Sequence, residues 1–284
     1  MVVALLFVTS LLAWSRPLWA TFALALRSDQ YTHILLVLPV SAALILLRWN
    51  PRRNGIRLTP GSGLPLLALA VVILWVVNHL ALSSPDLRLT AMIVGLASWW
   101  IGSFLLSFGT PALREHLFPL LFLFWIVPLP AVVLDRIVVL LQKGSALATY
   151  GLFWIARVPA LRDGVVLSIP GIDIEVAAEC SSIRSSLMLL LSTMVLAHLF
   201  LRSVSRKIIL VLLAIPLSVA KNAIRIFTLS MLGTRVDPSF LTGRLHQDGG
   251  IVFFLLGLAI VVLLVRLLRQ REAEGSSVTQ NARN

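Results

Sequence analysis

The segment IILVLLAIPLSVAKNAIRIFTLS, residues 208–230, joins an apolar run long enough to cross a membrane to a group of polar residues inside the same run. About 20 apolar residues in a helix span a hydrocarbon core of about 30 Å. Similar runs recur along the chain, which has 284 residues, 58% of them hydrophobic and 13% charged. Soluble domains carry about one quarter charged residues. The composition therefore excludes a soluble fold and predicts an all-α, polytopic bundle of membrane helices.

Eight membrane spans are predicted from these runs. They lie at about residues 2–15, 31–48, 64–82, 89–108, 117–134, 182–201, 208–230 and 250–267. The apolar stretch 137–156 is a further candidate, which would span the membrane, lie at its surface or re-enter it. We expect one transmembrane domain over residues 1–271, followed by a polar, disordered cytoplasmic tail over residues 272–284.

Lysine and arginine residues crowd next to the ends of three spans, and this pattern predicts the orientation of the chain. The clusters are Arg48, Arg52, Arg53 and Arg57; Arg202, Arg206 and Lys207; and Arg266, Arg269 and Arg271. Basic clusters lie on the cytoplasmic side of a membrane, and with eight spans all three clusters and both termini fall on that side. A further span at 137–156 would break this agreement. The net charge of +12 thus reflects membrane orientation, and we expect no nucleic-acid partner.

The largest external segment, 135–181, ends close to the single cysteine of the chain, Cys180. Within it, Val and Ile alternate with polar residues over Val165–Val176, around Pro170-Gly171, which predicts a small β-hairpin. A single cysteine forms neither an intramolecular disulfide nor a cysteine-based metal cluster, so any cysteine chemistry is nucleophilic. We expect no metal and no cofactor.

Three groups of polar residues lie where the predicted spans reach the outer leaflet. They are Glu179–Ser186, Lys221–Phe227 and Arg244–Gly250. Ionisable groups at membrane depth are costly, which makes each group a functional candidate. The predicted orientation of the three spans brings these groups to one depth.

Cys180, His246 and Arg225 supply the roles that acyl transfer by a thiolate requires. Cys180 would attack a peptide carbonyl, and His246 would act as general base and acid. Arg225 would stabilise the thiolate or the developing oxyanion. Asn222, three positions before Arg225, faces the same side of the helix. His198 is excluded, because it lies about 27 Å beyond Cys180 along a helix.

Each of these residues also has a purely structural interpretation. A single membrane cysteine is commonly a small buried hydrophobe. His246 would be a solvated loop residue, and Arg225 an anchor whose charged end reaches the membrane surface. Their joint placement on one side of the membrane favours the functional interpretation.

The polar groups make the chain similar to the exosortase/archaeosortase family of polytopic membrane transpeptidases, over about residues 28–268. Glu179–Ser185 resembles the Cys-Ser/Ala-Gly-Ile/Leu-Arg-Ser block of that family. Asn222–Ile226 resembles its Asn-x-x-Arg block, and His246 precedes the last span. Histidine in this third conserved block, at position 246, is typical of the bacterial exosortase branch, because archaeosortases have arginine there.

A further similarity lies near the start of the chain. Tyr31-Thr32-His33, followed by Pro39, resembles the Tyr-Ser-His-Gly…Pro segment of the family. Two positions depart from the family pattern: Ser182 and Ile34 stand where the family commonly has glycine. Neither change removes a reacting group.

The resemblance implies that Cys180 is the nucleophile, that Arg225 and His246 are the other catalytic positions, and that Asn222 and Arg184 support them. It implies substrates that are secreted proteins with a C-terminal sorting signal, made of a short motif such as Pro-Glu-Pro, one membrane helix and a basic tail. The enzyme would be a thiol protease and transpeptidase of the inner membrane, in contact with lipid. Cleavage would occur at the periplasmic face through a thioester.

Two other functions remain open at this point. A transporter or lipid flippase linked to exopolysaccharide export would use Asn222, Arg225 and His246 to line a path for an anionic substrate, and its cysteine would be dispensable. An intramembrane serine protease would pair His246 with one of several serines, but no Gly-x-Ser-x-Gly elbow is present. The candidate serines are Ser181, Ser182, Ser185 and Ser186.

Overall fold

The computed structural model describes the backbone of residues 2–50, 55, 59–79, 84–176, 183–237, 239 and 244–281. Side chains are described within these ranges except at 2–4, 60, 244–249 and 273–281. The chain divides into two compact units, Met1–Leu134 and Asp135–Asn284, and each unit has its own hydrophobic clusters. Helices dominate both units, which confirms the predicted all-α membrane fold class.

The first unit consists of helices. In chain order they are α1 (Val2–Ala13), α2 (Ser15–Arg27), α3 (Ile34–Arg48), α4 (Pro60–His79), α5 (Pro85–Glu115) and α6 (Leu117–Phe122), with short 3-10 helices at Asp29–Tyr31 and Leu123–Ile126. Helix α5 is interrupted at Gly109, where φ is 78°, a value that favours glycine. The predicted end of this span at residue 108 coincides with the interruption.

Helices α4 and α5 approach each other closely through glycine. A Cβ atom on Gly102 would lie 3.0 Å from the Cβ of Leu66, and one on Gly63 would collide with Leu106. Membrane helices associate largely through such close packing, because lipid offers no hydrophobic drive for helix pairing. The small residues therefore hold this pair together.

Six helical segments in the described part of the chain are long and apolar enough to cross a membrane. They are Asp29–Arg48, Gly61–His79, Pro85–Glu115, Ile183–Phe200, Val204–Arg235 and Gly250–Glu272. The bent pair Leu117–Ile126 and Ala131–Ile155 adds a seventh if it forms one broken span. The described chain thus has one or two fewer spans than the eight predicted.

Two predicted spans account for the difference. Residues 2–15 form α1, whose 12 residues extend about 18 Å, less than a hydrocarbon core. Pro17 follows shortly after its end. The predicted span 117–134 is not one helix, because Pro128 and Pro130 lack the backbone N–H that a continuous helix needs.

The second unit combines helices with a small sheet. Its elements are α7 (Ala131–Ile155, whose first turn belongs to the first unit), β1 (Leu161–Asp163), β2 (Val166–Ile169), β3 (Ile172–Glu175), α8 (Ile183–Phe200), α9 (Val204–Arg235) and α10 (Arg244–Asn281). The strands pair antiparallel in the order β1-β2-β3. The hairpin predicted around Pro170-Gly171 is confirmed as β2 and β3. Strand β1 was not predicted, because Leu-Arg-Asp shows no alternation.

Helices α8, α9 and α10 form a three-helix bundle. Only three residues join α8 to α9, so these helices run antiparallel. The Glu272 carboxylate of α10 accepts the backbone N–H of Ser203 in this connection, at 2.9 Å. Farther along, a Cβ on Gly257 of α10 would lie 3.4 Å from Lys221 of α9 and 3.5 Å from Leu189 of α8. Helix α10 therefore runs parallel to α8.

We call one end of this bundle the site end. It contains the N-terminal ends of α8 and α10 and the C-terminal half of α9. At the opposite end, α10 is helical to Asn281. The Arg, Gln, Glu and Ala residues around Glu272 have high helix propensity, which explains the continuation of the helix.

Candidate active site

Three of the five predicted site residues are described with their side chains. Arg184 lies in the first turn of α8, and Asn222 and Arg225 lie in the C-terminal half of α9. His246 lies in the first turn of α10, but its side chain is outside the described residues, as is the whole of Cys180. The four positions that are described, at least in backbone, all belong to the site end.

Asn222 fixes α9 against α7. Its side chain is only 1% exposed, and its Nδ2 donates a hydrogen bond to Ser145 Oγ at 3.0 Å. Buried amides need such partners, because an unsatisfied polar group is costly in an apolar interior. Asn222 therefore joins α9 to α7 in the described structure, and its supporting role at the active site stays a prediction.

Lys221 was present in the quoted polar group but was not predicted as a site residue. Its side chain is 4% exposed, and its Nζ donates a hydrogen bond to Ser185 Oγ of α8. No carboxylate among the described side chains forms an ion pair with it. Because a buried ammonium loses its hydration, this hydroxyl partner is important. Lys221 thus links α9 to the first turn of α8, beside Gly257 of α10.

The described part of the site end contains several basic side chains. Arg225 lies one turn beyond Lys221 toward the site end, about 6 Å along the helix axis. Arg184 directly precedes Ser185, the partner of Lys221. Within the described part, no three His, Cys, Asp or Glu side chains lie together as metal ligands would. A guanidinium group has the charge and the hydrogen-bond donors to stabilise an anion, such as a thiolate or an oxyanion.

The segment that contains Cys180 is flanked by two buried residues of the second unit. Before it, Val176 packs in one hydrophobic cluster with Ile226 of α9, and its carbonyl accepts a hydrogen bond from Gln142 Nε2 at 3.0 Å. After it, Ile183 begins α8 and is buried. Ile226 directly follows the predicted catalytic arginine, so the chain enters and leaves this segment at the site end.

The family model of the transmembrane exosortases matches residues 14–263, which is most of the chain. The chain belongs to the transmembrane exosortase family. The family resemblance predicted from the sequence is therefore confirmed. No curated protein and no solved structure gives a significant match. Family membership supports a multi-pass membrane protein of a sortase-like transpeptidase type.

A polar face of α7 in this exosortase was missed by the sequence reasoning. Gln142, Ser145 and Thr149 are three and four positions apart, so they lie on one side of the helix. Gln142 holds the Val176 carbonyl, and Ser145 accepts from Asn222. These three residues lie in the stretch 137–156, which the sequence analysis treats only as apolar. Their helical spacing could have indicated a buried polar face.

The N-terminal family segment of the exosortase lies in the first unit. The Tyr31 hydroxyl donates a hydrogen bond to the Leu129 carbonyl at 2.9 Å. His33 is 5% exposed, and its ring packs edge-on against Trp125, with 6.5 Å between ring centroids. Both side chains are thus part of the packing around the proline-containing break before α7.

Proposed function

We propose that this exosortase is a membrane-embedded cysteine protease and transpeptidase that cleaves C-terminal sorting signals of secreted proteins. His246 takes the proton of the Cys180 thiol, the thiolate attacks the scissile carbonyl, and Arg225 stabilises the resulting oxyanion. The C–N bond then breaks, His246 gives a proton to the leaving amine, and the upstream product stays on Cys180 as a thioester. An acceptor amine or water then loses a proton to His246 and attacks the thioester. The C–S bond breaks, and His246 returns the proton to the Cys180 sulfur.

One observation carries this proposal. Val176 and Ile183, which flank the cysteine segment, and the Arg225 turn of α9 belong to the same end of the second unit. The backbone of His246 lies in the first turn of α10, about 16 Å before Gly257 along the helix. These positions support the proposal, because Arg225, the backbone of His246 and the residues that flank the cysteine segment all belong to the site end.

Charge supports an extracytoplasmic position for the site end. Two basic clusters, Arg202–Lys207 and Arg266–Arg271, lie at the opposite end of the bundle, where the positive-inside rule indicates the cytoplasm. If the bent pair Leu117–Ile126 and Ala131–Ile155 is one crossing, the chain crosses the membrane seven times. The end of the span Asp29–Arg48 that carries Arg48 is then on the cytoplasmic side, like the two basic clusters of the bundle. We propose an inner-membrane protein with a cytoplasmic C-terminus and a periplasmic active site.

Replacement of Cys180 tests the proposal directly. The probe is a co-expressed secreted protein that ends in a Pro-Glu-Pro motif, one membrane helix and an arginine tail. We expect Cys180→Ala and Cys180→Ser to abolish processing at unchanged enzyme levels. Processing that persists in both variants would contradict the cysteine mechanism and would favour the serine alternative, which does not need the thiol.

The hydrogen bond between Lys221 and Ser185 favours one specific rival, a hydroxyl nucleophile activated by a lysine. Because the chain has one cysteine, a thiol-alkylating reagent reports on Cys180 alone. The cysteine mechanism predicts that alkylation stops processing. The rival predicts that alkylation has no effect and that Ser185→Ala abolishes cleavage.

A further inference from the structure

Strand β3 has an open edge. Ile169 and Ile172 pair across the two-residue turn, so Ile172 and Ile174 direct their backbone N–H and C=O groups toward β2. Asp173 and Glu175 direct theirs to the other side, and both residues are exposed. None of the described residues makes a hydrogen bond to the backbone of Asp173 or Glu175 on that side.

The face of the sheet at this edge is acidic. Asp163 and Glu175 both lie opposite Val166 in the pairing register, and Asp173 lies opposite Ser168. All three carboxylates therefore project from one face, because residues directly opposite each other share a face. Ile172 and Ile174 lie on the other face and pack against the hydrophobic cluster of the unit.

The sheet is fixed to the site end and leads directly to the proposed nucleophile. Leu167 and Ile169 of β2 pack in the same hydrophobic cluster as Phe153 of α7 and Ile226 of α9. Val176, held by Gln142, follows β3 immediately, and Cys180 comes four residues later. A peptide paired with β3 would therefore extend alongside the strand that leads into the cysteine segment.

We propose that β3 binds the substrate by strand addition. The ligand is the extended segment of the secreted protein on the N-terminal side of the scissile bond, because the other side enters the membrane as a helix. Backbone groups of this segment pair with those of Asp173 and Glu175. Lys, Arg or hydroxyl residues at alternate positions lie beside the two carboxylates, and apolar residues lie beside Ile172 and Ile174. This inference rests on the proposed function.

A proline at position 175 separates edge pairing from folding. The Glu175 N–H faces away from β2, so Glu175→Pro removes one edge donor and leaves the β2–β3 hydrogen bonds in place. Glu175→Gln is the matched control, because it removes the charge but keeps the N–H. Loss of one such hydrogen bond corresponds to about fivefold weaker binding. We expect the KM of Glu175→Pro to be about fivefold higher than the KM of Glu175→Gln, with little difference in kcat between the two variants.

Crosslinking measures binding without cleavage. In the Cys180→Ala background, a photoreactive residue placed two to six positions before the Pro-Glu-Pro motif of the co-expressed substrate should crosslink to residues 172–176. Glu175→Pro should reduce the yield, and Glu175→Gln should reduce it less. Crosslinks confined to other elements, or equal yields in all variants, would overturn the proposal. Because this readout needs no thiol, it is independent of whether Cys180 is the nucleophile.

Substrate chemistry provides a second test if Glu175→Pro does not fold. Synthetic substrates with one N-methyl group at successive positions are compared on the unchanged enzyme. Strand addition predicts that every second N-methyl group weakens binding, because alternate N–H groups face the partner strand. Equal tolerance at all positions would refute pairing with β3.

Discussion

The hydrogen bond from Lys221 to Ser185 predicts an energetic coupling between α8 and α9. Ser185→Ala removes the acceptor of a buried ammonium, and hydrogen bonds to charged groups contribute about 1.5–3 kcal/mol. Lys221→Met removes the charge together with its desolvation cost, so the single variant should lose little stability. In the Lys221→Met background, Ser185→Ala should lower the free energy of unfolding by at most about 1 kcal/mol. The expected coupling energy is therefore about 1–2 kcal/mol.

The coupling is measured as the free energy of unfolding of the four proteins in mixed detergent micelles, with sodium dodecyl sulfate as denaturant. Thr193→Ala is the control, because the Thr193 hydroxyl donates to the Leu189 carbonyl of its own helix at 2.7 Å. Thr193→Ala and Lys221→Met should be additive. If Ser185→Ala and Lys221→Met are additive to within about 0.5 kcal/mol as well, Lys221 does not join α9 to α8 through Ser185.

Two further predictions concern the two ends of the second unit. Glu272→Gln removes the carboxylate that accepts the Ser203 N–H near the start of α9, so we expect a loss of about 1 kcal/mol, seen as a lower Tm, with unchanged processing per folded molecule. An unchanged Tm would contradict this role. Asn222→Ala leaves the buried Ser145 hydroxyl without its donor, so the free energy of unfolding should fall by about 1–3 kcal/mol, and processing at equal enzyme levels should slow. Wild-type processing would show that Asn222 does not position the site.

The positions of the membrane helices were largely predictable from the sequence. All six spans of the described chain overlap predicted ones, because each is a continuous apolar run. The errors arose where a run is apolar but its backbone cannot continue as one helix. Pro128 and Pro130 divide one run, and in the run at residues 2–15 helix α1 ends at Ala13, before Pro17. Hydropathy measures the solvent that a segment prefers, and it does not measure helix continuity.

The candidate site was predictable only in part, for a different reason. Lys221, Asn222 and Arg225 were conspicuous, because charged and amide groups inside an apolar run are costly. Their partners were not conspicuous, since serine is common in membrane helices. Ser145 is 77 positions from Asn222, and Ser185 is 36 positions from Lys221. Such pairs become visible only when the fold places the helices side by side.

Helix α7 is a common support for the proposed site, because its polar face contacts both sides of it. Gln142 holds Val176 at the entry to the cysteine segment, and Ser145 holds Asn222 on the helix of Arg225. Since both contacts come from one helix, a shift of α7 would move Val176 and the helix of Arg225 together. The polar face therefore preserves their spacing, although none of its residues has a role in the proposed chemistry. An apolar segment with polar residues at helical spacing is better interpreted as a buried support than as a lipid-facing span.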